Sequence, residues 1–155
     1  MPNPNTDFSS GAVLTAAQQN RFPRGIMAYN AVVATDATVT IEELMITSSS
    51  FTAVANRYYR ITYLEPSMAS TVGNAVFTMR IRQTNIAGAI QNEVRVLNPS
   101  GSVAIPTSGI CQAIVTLSAG ATTMVATLAC SAGTGQAQRS GTIIASLLVE
   151  DIGPA

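Results

Sequence analysis

The chain has 155 residues, 47% apolar and 10% charged, with eight Arg balancing eight acidic residues and no Lys, His or Trp. Its length suits one domain with a real core, and a net charge of zero gives no global field toward nucleic acid or an anionic membrane. Without His there is no Ser-His-Asp triad, Cys-His dyad or usual zinc set, and without Lys there is no P-loop or Schiff base, so neither an enzyme nor a cofactor is expected.

Met1 to Ser10 reads as an extended arm, because Pro2 and Pro4 restrict the backbone there. Thr15-Ala16-Ala17-Gln18 fits a capping box, so this stretch is either a short helix from Ala16 to about Arg21 or an irregular segment ended by Pro23. The arm is assigned residues 1–25 and the domain 26–155. The sequence MPNPNTDF has no basic n-region or apolar h-region, and no apolar run reaches the roughly 18 residues of a membrane span. Neither a secretory signal nor membrane insertion is therefore expected.

Short strands follow. Gly25 to Ala34 is the first, and Val39 to Ile46 holds one or two more. Arg57 to Glu65 puts Tyr59, Ile61 and Tyr63 on a core face and Tyr58, Arg60 and Thr62 on the other, with Pro66 as its end. Ala75 to Gln83 alternates Phe77, Met79 and Ile81 with Thr78, Arg80 and Arg82. Val94 to Leu97 is short and stops at the turn cluster Asn98-Pro99-Ser100-Gly101. Arg60, Arg80 and Arg82 are read as a basic stripe on one sheet face. It is either solvated with cross-strand partners such as Glu65 or Glu93, or it makes polar contacts between subunits.

Ile110 to Ser131 reads as a β-hairpin turning at Gly120-Ala121. That register pairs Ala119 with Thr122, Leu117 with Met124, Val115 with Ala126, Ala113 with Leu128 and Cys111 with Cys130 on one almost wholly apolar face. The two cysteines are then either a cross-strand disulfide or a pair of buried thiols. Thr142 to Val149 closes the chain. Ile143, Ala145, Leu147 and Val149 lie on one face, and Ile144, Ser146 and Leu148 lie on the other. One sandwich core can bury only one set. Ile144, Ser146 and Leu148 are therefore assigned to a subunit interface, with Ser146 small enough for close approach at a threefold axis. A soluble domain is usually about a quarter charged; this far less charged surface suits packing against other subunits. About eight short strands with regular turns give an all-β class, an antiparallel β-sandwich or jelly roll.

Three stretches resemble small structural proteins of tailed bacteriophages that infect actinobacteria. They are Val13 to Asn20 with Pro23-Arg24-Gly25-Ile26, then Asn56 to Tyr63 (NRYYRITY), then Leu148 to Pro154 (LVEDIGP). The resemblance implies a virion component, a minor tail or fibre protein or a capsid decoration protein, assembled in the host cytoplasm. It also implies a homotrimer, similar to tumour-necrosis-factor-like heads, that meets other virion proteins through its arm. The chain departs from fibre proteins in having no collagen-like or coiled-coil shaft. The alternative is a receptor- or glycan-binding tip of a tail fibre, using loop residues such as Asn85, Asn92 and Gln136 on a host surface.

Overall fold

The computed structural model describes Val13 and residues 15–155. The expected arm over Met1 to Ser10 lies outside these residues. A single helical turn, α1 (Ala16–Gln19), stands where the capping box places it and gives way to a turn at Asn20.

The described strands pair as a nested set. β1 (Gly25–Val32) pairs with β12 (Ala145–Pro154), and β2 (Asp36–Val39) with β11 (Gly135–Ala137). β3 (Glu43–Thr47) pairs with β10 (Met124–Cys130), and β4 (Phe51–Ala53) with β9 (Gly120–Thr122). β5 (Arg57–Ser70) pairs with β8 (Thr107–Thr116), and β6 (Ala75–Gln83) with β7 (Ile90–Asn98). All six ladders are antiparallel. They make one long two-stranded ribbon whose apex is the β6–β7 turn.

Rolling the ribbon up gives the sandwich. β12 pairs with β5, giving a first sheet in the order β1-β12-β5-β8, while β11 and β2 extend it beside the C-terminal part of β5. β10 pairs with β6, giving a second sheet in the order β3-β10-β6-β7. Eight principal strands in two such sheets are a jelly roll. Alternation supplies the core between them. Tyr59, Ile61, Tyr63, Cys111, Leu147 and Val149 from the first sheet meet Phe77, Met79, Ile81, Met124, Ala126 and Leu128 from the second, all buried.

Several sequence expectations need correction. Ile110 to Ser131 is not a hairpin: β8 joins the first sheet and β10 the second, so Cys111 and Cys130 stand in different sheets, both free and buried. Cys111 to Leu117 and Met124 to Cys130 do turn their expected faces inward, with Ala119 left exposed, but those faces belong to opposite walls of the core. A strand pair with one apolar face looks the same in sequence whether the strands lie side by side or across a core. Gly120 has a positive φ of 130° and opens β9 against Ala53, in place of reversing the chain. Pro66 does not end β5, which runs on to Ser70. The β5–β8 register shifts between Glu65 and Met68, which accommodates the missing N–H of proline. The last strand begins at Ala145 and not at Thr142, so Ile143 and Ile144 precede it and are 40% and 39% exposed.

Two buried ion pairs mark the ends of the sandwich. At one end, Arg57 donates from Nε and Nη2 to Asp151, and its Nη1 and Nη2 also donate to the carbonyls of Asn20 and Phe22. At the other, Arg139 donates to both carboxylate oxygens of Glu65, which also accepts from the Tyr63 hydroxyl. Burial, with Glu65 beside it, pushes the Tyr63 phenol well above its ordinary pKa.

Candidate interaction face

The first sheet leaves its outer face uncovered by other described parts of the chain. Register places the side chains in rows. Ile26, Glu150, Arg60 and Ile114 form one row across β1, β12, β5 and β8. Tyr29, Leu148, Thr62 and Gln112 form the next, and Ala31, Ser146, Leu64 and Ile110 the third. Ile26 is 68% exposed, Ile110 and Ile114 are each 59% exposed, and Tyr29 is exposed too. Leu64 and Leu148 are half-buried between their neighbours.

The charge on this face is self-contained: Arg60 Nε donates to Glu150 Oε2 at 2.9 Å from the adjacent strand. Neighbouring acids on a strand point to opposite faces, so Glu150 meets Arg60 outside while Asp151 meets Arg57 inside. Ala31 and Ser146 are the small members of the third row. Ser146 and Leu148 thus sit on an open apolar face as their alternation implies. Ile144 does not share their strand.

Arg60, Arg80 and Arg82 do not form one stripe. β5 and β6 belong to different sheets, so Arg60 lies on one outer face and Arg80 and Arg82 on the other. There, Arg80 donates to Glu42 and Glu93, and Arg82 to Glu42 and the Gly88 carbonyl. Thr127 also donates to Glu42, at 2.5 Å. The Arg82 hydrogen bond leads, opposed by partial burial and joined by Thr127 and Arg80, and holds the Glu42 carboxyl down at about 2. Glu65, suggested by sequence as a surface partner, is wholly buried with Arg139. The pairing of Arg57 and Arg139 escaped sequence reasoning because their partners lie 94 and 74 residues away.

The polar loop residues of the glycan-binding alternative do not converge. Asn85 caps the β6–β7 turn by accepting from Ala87 N, and Asn92 is tied to the Gln112 carbonyl and Glu93 N. Gln136 lies in β11 toward the opposite end of the sandwich. Among the described residues no group of three His, Cys, Asp or Glu side chains could hold a metal, and no helix is long and apolar enough to cross a membrane.

No protein-family model matches the chain, and no curated protein matches it by sequence. Solved structures do. VP2 of infectious bursal disease virus, in its subviral particle, superposes with a TM-score of 0.52 at 10% identity, over 98% of this chain and 37% of that one. VP2 from T=1 particles of the same virus gives a TM-score of 0.47 at 12% identity, over 99% of this chain and 41% of that one. The C-terminal carbohydrate-binding module of a laminarinase from Zobellia galactanivorans gives 0.34 at 14% identity, over 82% and 98%. The chain spans less than half the length of the VP2 chains. At these identities the likeness is one of fold: this chain is an all-β antiparallel sandwich of the jelly-roll kind.

Proposed function

We propose that the chain is a non-enzymatic structural protein of a tailed-phage virion, a capsid decoration or minor tail protein that assembles as a homotrimer through the outer face of its first sheet. One observation carries the reading. Ile26, Tyr29, Leu64, Ile110, Ile114 and Leu148 share one sheet face whose polar groups, Arg60 with Glu150 and Gln112 with Thr62, are paired with each other. Monomers seldom leave so many large apolar side chains exposed on one face in water. Each such side chain contributes about 1.5–3 kcal/mol when fully buried. The Ala31–Ser146 row lets neighbouring backbones approach closely where three copies meet. A fold shared with a protein that builds viral particles supports this role, as does the sequence resemblance at the three stretches above.

Sedimentation of the full chain tests it. Wild type should run as a trimer. Leu148→Asp should run as a monomer with an unchanged circular dichroism spectrum, because the inward face of β12 keeps Ala145, Leu147 and Val149 in the core. A wild-type monomer at micromolar concentration overturns the self-assembly.

A further inference from the structure

A cleft opens at the Arg57 end of the sandwich. Val54 and Ala55, before β5, and Pro154, at the end of β12, give it apolar lining, and Arg21 and Arg24 border it. Its volume of about 330 Å³ is at the small end of ligand pockets, which start at roughly 300 Å³, so it takes one or two side chains. Arg57 also borders it, but that guanidinium is engaged by Asp151 and by the carbonyls of Asn20 and Phe22. Arg21 and Arg24 are exposed, and among the described residues no carboxylate pairs with either.

The acids show which carboxylate is left for them. Of the eight, Glu42, Glu65, Glu93, Glu150 and Asp151 are held by other arginines. Glu43 lies opposite Leu128, midway along the second sheet, with Oε1 buried. Asp36 stands opposite Ala137, which stands opposite Met68; Met68 is roughly 30 Å along β5 from Arg57. The remaining acid is Asp7, which precedes the described residues and is followed by Phe8. Asp7-Phe8 offers a carboxylate to two guanidinium groups and a ring to an apolar wall. An Arg beside that ring adds a cation–π contact.

The chain is long enough to make this contact with itself. Thr15 to Asn20 is one helical turn, closed by Gln19 N to Thr15 O and Asn20 N to Ala16 O, and spans about 8 Å. Val13 therefore stands within roughly 15 Å of Asn20, which borders the cleft. The stretch from Asp7 to Val13 extends up to about 20 Å. So short a link gives the segment a local concentration of order millimolar at its own cleft, which a second copy at micromolar concentration does not match.

We propose that the cleft is a binding site for the chain's own Asp7-Phe8, with Asp7 pairing to Arg21 and Arg24 and Phe8 lying on Val54, Ala55 and Pro154. The contact straps the N-terminal segment to the end of the sandwich. It lies within one chain, so it stands or falls apart from assembly through the first sheet.

Chymotrypsin cleavage after Phe8, followed by mass spectrometry on the full chain, reads the strap. A free peptide of residues 1–14 sets the unprotected rate. Wild type should be cut about tenfold more slowly than the peptide, because cleavage tracks the undocked fraction. Arg21→Glu with Arg24→Glu, and separately Asp7→Arg, should each abolish the protection with unchanged circular dichroism. The three substitutions together reverse both partners and should restore it. Protection should be independent of protein concentration and should persist in Leu148→Asp, whatever that variant does to the oligomer. The proposal is overturned if wild type is cut as fast as the peptide, if the one-sided reversals stay protected, or if the combined variant stays unprotected. Protection that fades on dilution also overturns it, by placing the segment of a second copy in the cleft.

Discussion

Glu42 does more than balance charge. It follows the loop that ends at Ile41 and ties that loop across β10 and β6, accepting from Thr127, Arg80 and Arg82. An ionised carboxylate accepts all of these bonds; a protonated one gives up its charge and one acceptor site. With its folded pKa near 2 against an ordinary 4.5, Glu42 contributes stability that is fully present above about pH 4.5 and is lost as pH falls toward 2. Glu93 is also held below the usual range, first by Arg80 and then by Arg95, and adds to the same acid limb. Glu42→Gln should therefore be less stable than wild type at pH 7 yet lose less on acidification. Urea unfolding at pH 7, 4.5 and 3 checks this. Parallel curves for the two proteins would mean that the network contributes nothing that protonation removes.

At the scale of elements, α1 and the segment after it are bound to the sandwich more tightly than an arm implies. Arg57 is buried, and two of its acceptors are the carbonyls of Asn20 and Phe22. Removing residues 1–24 deletes both acceptors and leaves the guanidinium with Asp151 and water. A hydrogen bond to a charged group contributes about 1.5–3 kcal/mol. The truncated chain should still fold, because its core strands are intact, but with a stability lowered by that amount and with its docking weakened. Denaturant titration of the full and truncated chains measures the difference. The sequence marked this region by a capping box and by Pro23, both local signals. It could not mark the Arg57 contacts, which depend on where the end of β12 returns. β6 shows the opposite case. Its bounds were legible because its alternation is unbroken and both ends meet turns, whereas β5 was read short because proline is a local stop signal that a register shift overrides.

The whole molecule is organised by the nested ribbon, and this was the least legible feature. Periodicity gave strands, inward faces and the sandwich class correctly at Arg57 to Glu65 and Ala75 to Gln83, because burial on one face imposes a period of two. It carries no information about which strand lies beside which. The sequence-adjacent pairing chosen for β8 and β10 was the shortest loop closure available, and the fold takes a longer one. The ribbon has a consequence for connectivity. Its six ladders are joined at the apex by residues 84–89 and are open at the other end, where Arg57 pairs with Pro154 and Asn20 lies against Arg57. Linking Ala155 to Thr15 by a short Gly-Ser segment and cutting between Ile86 and Ala87 moves the turn from one end of the ribbon to the other. Every ladder keeps both strands and its antiparallel sense. The cut costs the apex bonds of Gly88 N to Asn85 O and Gln83 N to Ala89 O, together about 1–3 kcal/mol at typical net hydrogen-bond values. The permutant should keep the β-type circular dichroism spectrum and unfold cooperatively at a lower denaturant midpoint. A cut between Ser118 and Ala119, in the segment that crosses from β8 to β9, should be more damaging, because it frees two core strands from each other in the middle of the ribbon. Equal midpoints for the two permutants would show that the ladders form independently of their order along the chain.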